Sequence, residues 1–79
     1  MSFYKKAKNS LITALKGASN LEDFDVFVSN NITFGDFSSN ILLKYNLPKD
    51  FVQKIKLPNY FVLAKEENRF LNFYVNRKY

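Results

Sequence analysis

The sequence predicts a small α+β domain, in which an N-terminal helix and two short central helices accompany an antiparallel sheet closed by a C-terminal hairpin. Three observations predict it: apolar residues recur at spacings of three and four between Phe3 and Lys16, aromatic and β-branched residues crowd the segment from Tyr60 to Val75, and Pro48 and Pro58 punctuate the stretch between. With 79 residues, of which 47% are hydrophobic and 18% aromatic, the chain carries enough apolar surface for one globular domain spanning residues 1–79. It has no low-complexity tract or internal repeat.

Tyr4, Ala7, Leu11, Ala14 and Leu15 define the apolar stripe of the first helix, and Gly17 stands where that helix is expected to stop. Residues 18 to 23 read as a loop, and Phe24-Asp25-Val26-Phe27-Val28 as a strand. Asn30-Asn31 breaks it. After Phe34-Gly35, Asp36 and Ser38 are suited to cap a second helix through Ile41, Leu42 and Tyr45, which Leu47-Pro48 closes. Pro48 fits the first turn of a third, short helix that sets Phe51, Val52 and Ile55 on one side, and Pro58 ends it. Tyr60 to Lys65 and Arg69 to Val75 form a hairpin, with Glu66-Glu67-Asn68 as its polar turn and Asn68 able to take positive φ. Period-two alternation puts Leu71, Phe73 and Val75 on the core face of the last strand, and Phe70, Asn72, Tyr74 and Asn76 on the other, flanked by Lys65, Arg69, Arg77 and Lys78.

Composition excludes much chemistry. Without Cys or His there is no disulfide framework, no thiolate or imidazole metal site, no Cys nucleophile and no imidazole acid-base catalyst. No apolar run reaches the length of a signal sequence or a membrane span, so a cytoplasmic protein with no membrane partner is expected. The paired carboxylates Glu66 and Glu67 fall in the expected turn and read as solubilising residues.

Net charge is +5 and unevenly placed. Residues 1–40 balance Lys5, Lys6, Lys8 and Lys16 against Glu22, Asp23, Asp25 and Asp36, whereas residues 41–79 set eight basic residues against Asp50, Glu66 and Glu67. The basic half attracts polyanions through long-range potential and counterion release. Lys5, Lys6 and Lys8 read as a solvated helix face.

Two segments resemble a known family. Phe34-Gly35-Asp36-Phe37-Ser38-Ser39-Asn40-Ile41 resembles a stretch of the arginyl-tRNA synthetase N-terminal domain, and Arg69-Phe70-Leu71-Asn72-Phe73-Tyr74-Val75-Asn76 resembles that domain's closing strand. Their order, the helical segment between them, and the preceding helix and strand extend the resemblance over nearly the whole chain. It departs from the family at Asn68-Arg69, where a glycine is usual before the first aromatic, and in a shorter stretch between Asn40 and Tyr60.

The resemblance implies a non-catalytic accessory domain that binds the D-loop at the elbow of tRNA-Arg, while the parent enzyme's separate catalytic domain carries out ATP-dependent arginylation. The catalytic and anticodon-binding domains are not in this sequence, and no cofactor is expected in this segment. By position it points to Asn72, Tyr74, Asn76 and Tyr79 as RNA-binding residues, with Arg77 and Lys78 meeting phosphates. The chemistry is compatible: Asn presents a donor and an acceptor to a base edge, and Tyr a ring for stacking.

Each of these residues also has a structural reading. Gly35-Asp36 reads first as a tight turn and a helix cap, and Ser38, Ser39 and Asn40 as first-turn residues that satisfy free N–H groups. Phe70 and Tyr74 serve equally as cross-strand packing partners, and Asn72 as a hydrogen-bonding residue that fixes its strand. A self-contained protein-interaction module using exposed aromatics is the alternative function.

Overall fold

The computed structural model describes residues 3–29 and 35–76. It is an α+β domain in the order α1 (Phe3–Ser19), β1 (Val26–Val28), β2 (Phe37–Ser39), α2 (Ile41–Tyr45), a 3₁₀ helix (Lys49–Lys54), β3 (Phe61–Glu67) and β4 (Phe70–Val75). The strands form one antiparallel sheet in the order β1-β2-β4-β3, so β4 is inserted between β2 and β3, which the helical connection holds two positions apart.

The first helix buries Ala7, Leu11 and Leu15, the spacing-four core of its stripe. Gly17 does not end it. An exposed helical glycine costs only about 1 kcal/mol relative to alanine, and the chain continues to Ser19, whose hydroxyl donates to the Leu15 carbonyl at 2.7 Å. The stop comes at Asn20, in the left-handed region with φ 59°, whose N–H donates to the Lys16 carbonyl.

The larger departure lies in residues 36 to 40. The expectation of a helix capped by Asp36 and Ser38 is incorrect: Phe37-Ser38-Ser39 is a strand paired on both sides, with Val26 opposite Ser39 on one edge and Leu71 opposite it on the other. Tertiary pairing overrides the local preference of serine for caps. Helix α2 therefore starts only at Ile41 and ends at Asn46, a left-handed C-cap with φ 52°. The third helix is the 3₁₀ turn that follows Pro48, and it buries Phe51.

Asp36 has a different structural role from capping. Its Oδ2 accepts the Val75 N–H at 2.9 Å and its Oδ1 the Tyr4 hydroxyl at 3.4 Å, while its own N–H donates to the Phe73 carbonyl at 2.8 Å. Its carbonyl accepts the Ser29 N–H at 3.0 Å. One residue thus ties β4, α1 and the end of β1 together. Asp36→Ala leaves a buried N–H on Val75 without its acceptor and is expected to cost about 2 kcal/mol, measured by chemical denaturation; Asp36→Asn, which retains a carbonyl acceptor, should cost less.

The hairpin turn is shorter than expected and begins two residues later. Strand β3 runs on through Glu67, and the turn is Asn68-Arg69, with φ of 52° and 70°, the paired positive values that match the twist of a two-residue hairpin loop. The Glu66 carboxylate accepts the Arg69 N–H at 2.9 Å. All three helices lie against one face of the sheet, where Phe37, Phe61, Leu71, Phe73 and Val75 join the helical core residues. Phe61 sits edge-on to both Phe37 and Phe73 at centroid distances of 5.9 and 6.1 Å.

Candidate functional site

The second face of the sheet carries the other half of each strand's alternation. Register places Phe27, Ser38, Asn72 and Lys65 in one row across β1, β2, β4 and β3. Phe70 opposite Glu67 flanks that row on one side, and Tyr74 opposite Leu63 on the other. The β2 and β4 segments that carry the family resemblance are hydrogen-bonded neighbours, and Ser38 lies directly across from Asn72.

That contact shapes the site. The Ser38 hydroxyl donates to Asn72 Oδ1 at 2.8 Å, and the two residues are 7% and 4% exposed. Phe27, opposite Ser38 in the register, meets Phe70 edge to face, with ring centroids 6.4 Å apart at an interplanar angle of 72°. Together with Ser29, Glu67 and Asn68 they line a solvent-open cavity of about 350 Å³. No protein-family model and no curated protein matches the chain.

The structure places the sequence-derived site residues as follows. Asn72 lies on the expected face, but buried, with its amide oxygen engaged by Ser38. Its amide nitrogen has no acceptor among the described residues, and every fully buried polar side-chain atom described is hydrogen-bonded, so this nitrogen reaches solvent through the cavity that Asn72 lines. Tyr74 is half-buried on the same face outside the cavity lining, and Asn76, also half-buried, follows the end of β4 with its N–H donating to the Tyr60 carbonyl at 2.6 Å. Arg77, Lys78 and Tyr79 lie outside the described residues.

Two readings of charged residues change. Arg69 does not flank the open face: its guanidinium turns to the helices and donates to the Leu42 carbonyl at 3.2 Å and to Asn46 Oδ1 at 3.0 Å. There it joins the Asn46 and Leu47 N–H groups at the C-terminal end of α2, where a cation is favoured. Glu66 and Glu67 are not turn residues, and as strand neighbours they point to opposite faces, which brings only Glu67 to the cavity.

Ser38, Phe27 and Glu67 are site residues that the sequence reading missed. Asn40 as the start of α2 was the overlooked signal, because it frees Phe37-Ser38-Ser39 to alternate as a strand. Its side chain does not cap the helix but binds Asp25, accepting that residue's N–H at 2.9 Å and donating to its carboxylate at 3.2 Å. Ser39 donates to the Asp25 carbonyl at 2.8 Å, so β1 is held to the start of α2. Nearby, the Asp23 carboxylate 3.1 Å from Lys44 raises that ammonium above its ordinary value.

Among the described residues no group of three or more His, Cys, Asp or Glu could hold a metal, and no helix is long and apolar enough to cross a membrane.

Proposed function

We propose that this chain is an RNA-binding accessory domain of the arginyl-tRNA synthetase kind, which holds the D-loop at the elbow of tRNA-Arg and positions it for ATP-dependent arginylation by the catalytic domain of a parent enzyme. The observation that carries the reading is the open face of the sheet. Its two resembling segments pair side by side, and they present the Asn72 amide in a cavity that Phe27 and Phe70 also line, a combination suited to an unstacked base of an RNA loop. The excess of eight basic over three acidic residues in the second half of the chain supplies attraction for the phosphate backbone. Asn72, Tyr74 and Asn76 follow one another along that face and its end, and Arg77, Lys78 and Tyr79 continue the chain from there.

Titration of labelled tRNA-Arg with the chain at low salt tests this. Binding is expected, with affinity falling steeply between ~50 and ~200 mM salt, and with the combined Asn76→Ala and Tyr79→Ala variant losing it. Absence of binding at low salt would remove the reading.

A second reading, a protein-interaction module, draws on Val62 and Leu63, which are 61% and 41% exposed on the edge strand β3. Replacing both by serine should leave the tRNA titration unchanged if RNA is the partner.

A further inference from the structure

We propose that the groove between the C-terminal half of α1 and the chain leaving the 3₁₀ helix is a phosphate site, which holds the sugar-phosphate backbone of an RNA strand through Lys54 and Lys56. The proposal rests on the RNA-binding reading and adds to it a second contact, in the helical layer of the domain.

The groove follows from two local features. The 3₁₀ helix ends at Lys54, and Ile55 is extended, with φ −81° and ψ 127°. Alternation in an extended segment sends Ile55 one way and its neighbours the other. Ile55 packs against the core, and Lys54 and Lys56 are exposed. Helix α1 contributes Ala14, Gly17 and Ala18, which share one of its faces because three and four residues separate them. These five residues line a cavity of about 310 Å³. Gly17 helps to keep it open, since a Cβ there would meet nothing within 4 Å.

The charge in this groove is uncompensated. Neither lysine ammonium makes a hydrogen bond or ion pair among the described residues, and no acidic residue among them lines the cavity. Glu22, just beyond α1, is 4.0 Å from Lys16. The C-terminal end of a helix opposes an anion, but it carries only about half a unit of charge. Here the Lys16 and Leu15 carbonyls already accept the Asn20 N–H and the Ser19 hydroxyl. Two full positive charges outweigh what remains.

An ammonium is a point charge that meets phosphate oxygens without a fixed fork geometry. Residues two apart in an extended segment are spaced by about 6.6 Å, a step comparable with that between successive phosphates of one RNA strand. Lys54 and Lys56 can therefore follow a backbone, while the small residues of α1 leave room for the ribose between phosphates. Such a contact carries no sequence information and strengthens the hold on any RNA that the domain binds. The helices lie against the sheet face opposite the Asn72 cavity, so a phosphate in the groove leaves that cavity free.

Titration of labelled tRNA-Arg with the full chain at several salt concentrations tests the groove. Lys54→Gln combined with Lys56→Gln is expected to weaken binding at low salt about tenfold and to reduce the slope of log affinity against log salt by about 1.5. Lys6→Gln combined with Lys8→Gln, which removes the same charge from the solvated face of α1, should have a much smaller effect on both. Gly17→Leu leaves the charge unchanged and suits a helix, and by filling the groove it should weaken binding as well. Circular dichroism checks that each variant is folded, and the two lysine pairs, at surface positions, decide the matter should Gly17→Leu disturb the helix. Equal losses in the two lysine pairs overturn the groove and leave RNA binding standing, as does full affinity in a folded Gly17→Leu variant. Failure of the unaltered chain to bind overturns both.

Discussion

Phe73→Ala is expected to destabilise the domain by about 4 kcal/mol, lowering its thermal midpoint by roughly 20 °C. Phe73 is fully buried in the central strand β4, between Phe37 of β2 and Ala64 of β3, and its ring meets the edge of Phe61. Deleting the ring removes both its transfer energy and the packing of its neighbours, because the sheet on either side is hydrogen-bonded in register and cannot close the gap. A domain of this size has a total stability of only about 4–12 kcal/mol, so the variant stands close to unfolding. Phe27 provides the contrast. It is 42% exposed on the opposite face, and Phe27→Ala should cost about 1 kcal/mol, mostly the edge contact with Phe70. Thermal and chemical denaturation of the two variants measures the difference between the faces; equal losses would contradict a sheet with one packed side.

Which elements were legible in the sequence follows from the range of the interactions that make them. Helix α1 announced itself because Ala7, Leu11 and Leu15 carry their own periodicity, and the terminal hairpin because strand, turn and strand are contiguous. Strand β2 gave no such signal. Its three residues include two serines, and what makes them extended is pairing with β1 on one side and β4 on the other. The same limit applies to the site. Alternation put Asn72 on the correct face, but its side-chain hydrogen bond depends on Ser38, thirty-four residues away. Phe27 was legible as a strand residue and not as a cavity wall, since that role needs β1 to reach β4 through β2. Arg69 misled because a cation beside a basic terminus looks like part of a binding face until the C-terminal end of α2 is seen to take it.

Gly35→Ala is the second large effect, expected to cost about 3 kcal/mol. Gly35 has φ +92°, a conformation that L side chains rarely adopt. A Cβ there would also lie 2.8 Å from the Phe73 carbonyl oxygen, with the Phe73 nitrogen and carbonyl carbon at 3.2 and 3.3 Å. These are backbone atoms of the central strand, and that same carbonyl already accepts the Asp36 N–H. Neither side can yield without shifting Asp36 off Val75 or β4 off β2. Gly17 isolates the steric part of the argument, since a Cβ at that position meets nothing within 4 Å; Gly17→Ala in the helix should raise stability by about 0.7 kcal/mol. Denaturation of the pair should give opposite signs. Because the strained turn sets the start of β2, any Gly35→Ala molecules that remain folded should have Ser38 displaced from Asn72, and a two-dimensional NMR spectrum should then show the Asn72 side-chain amide shifted as well as the backbone around Phe73.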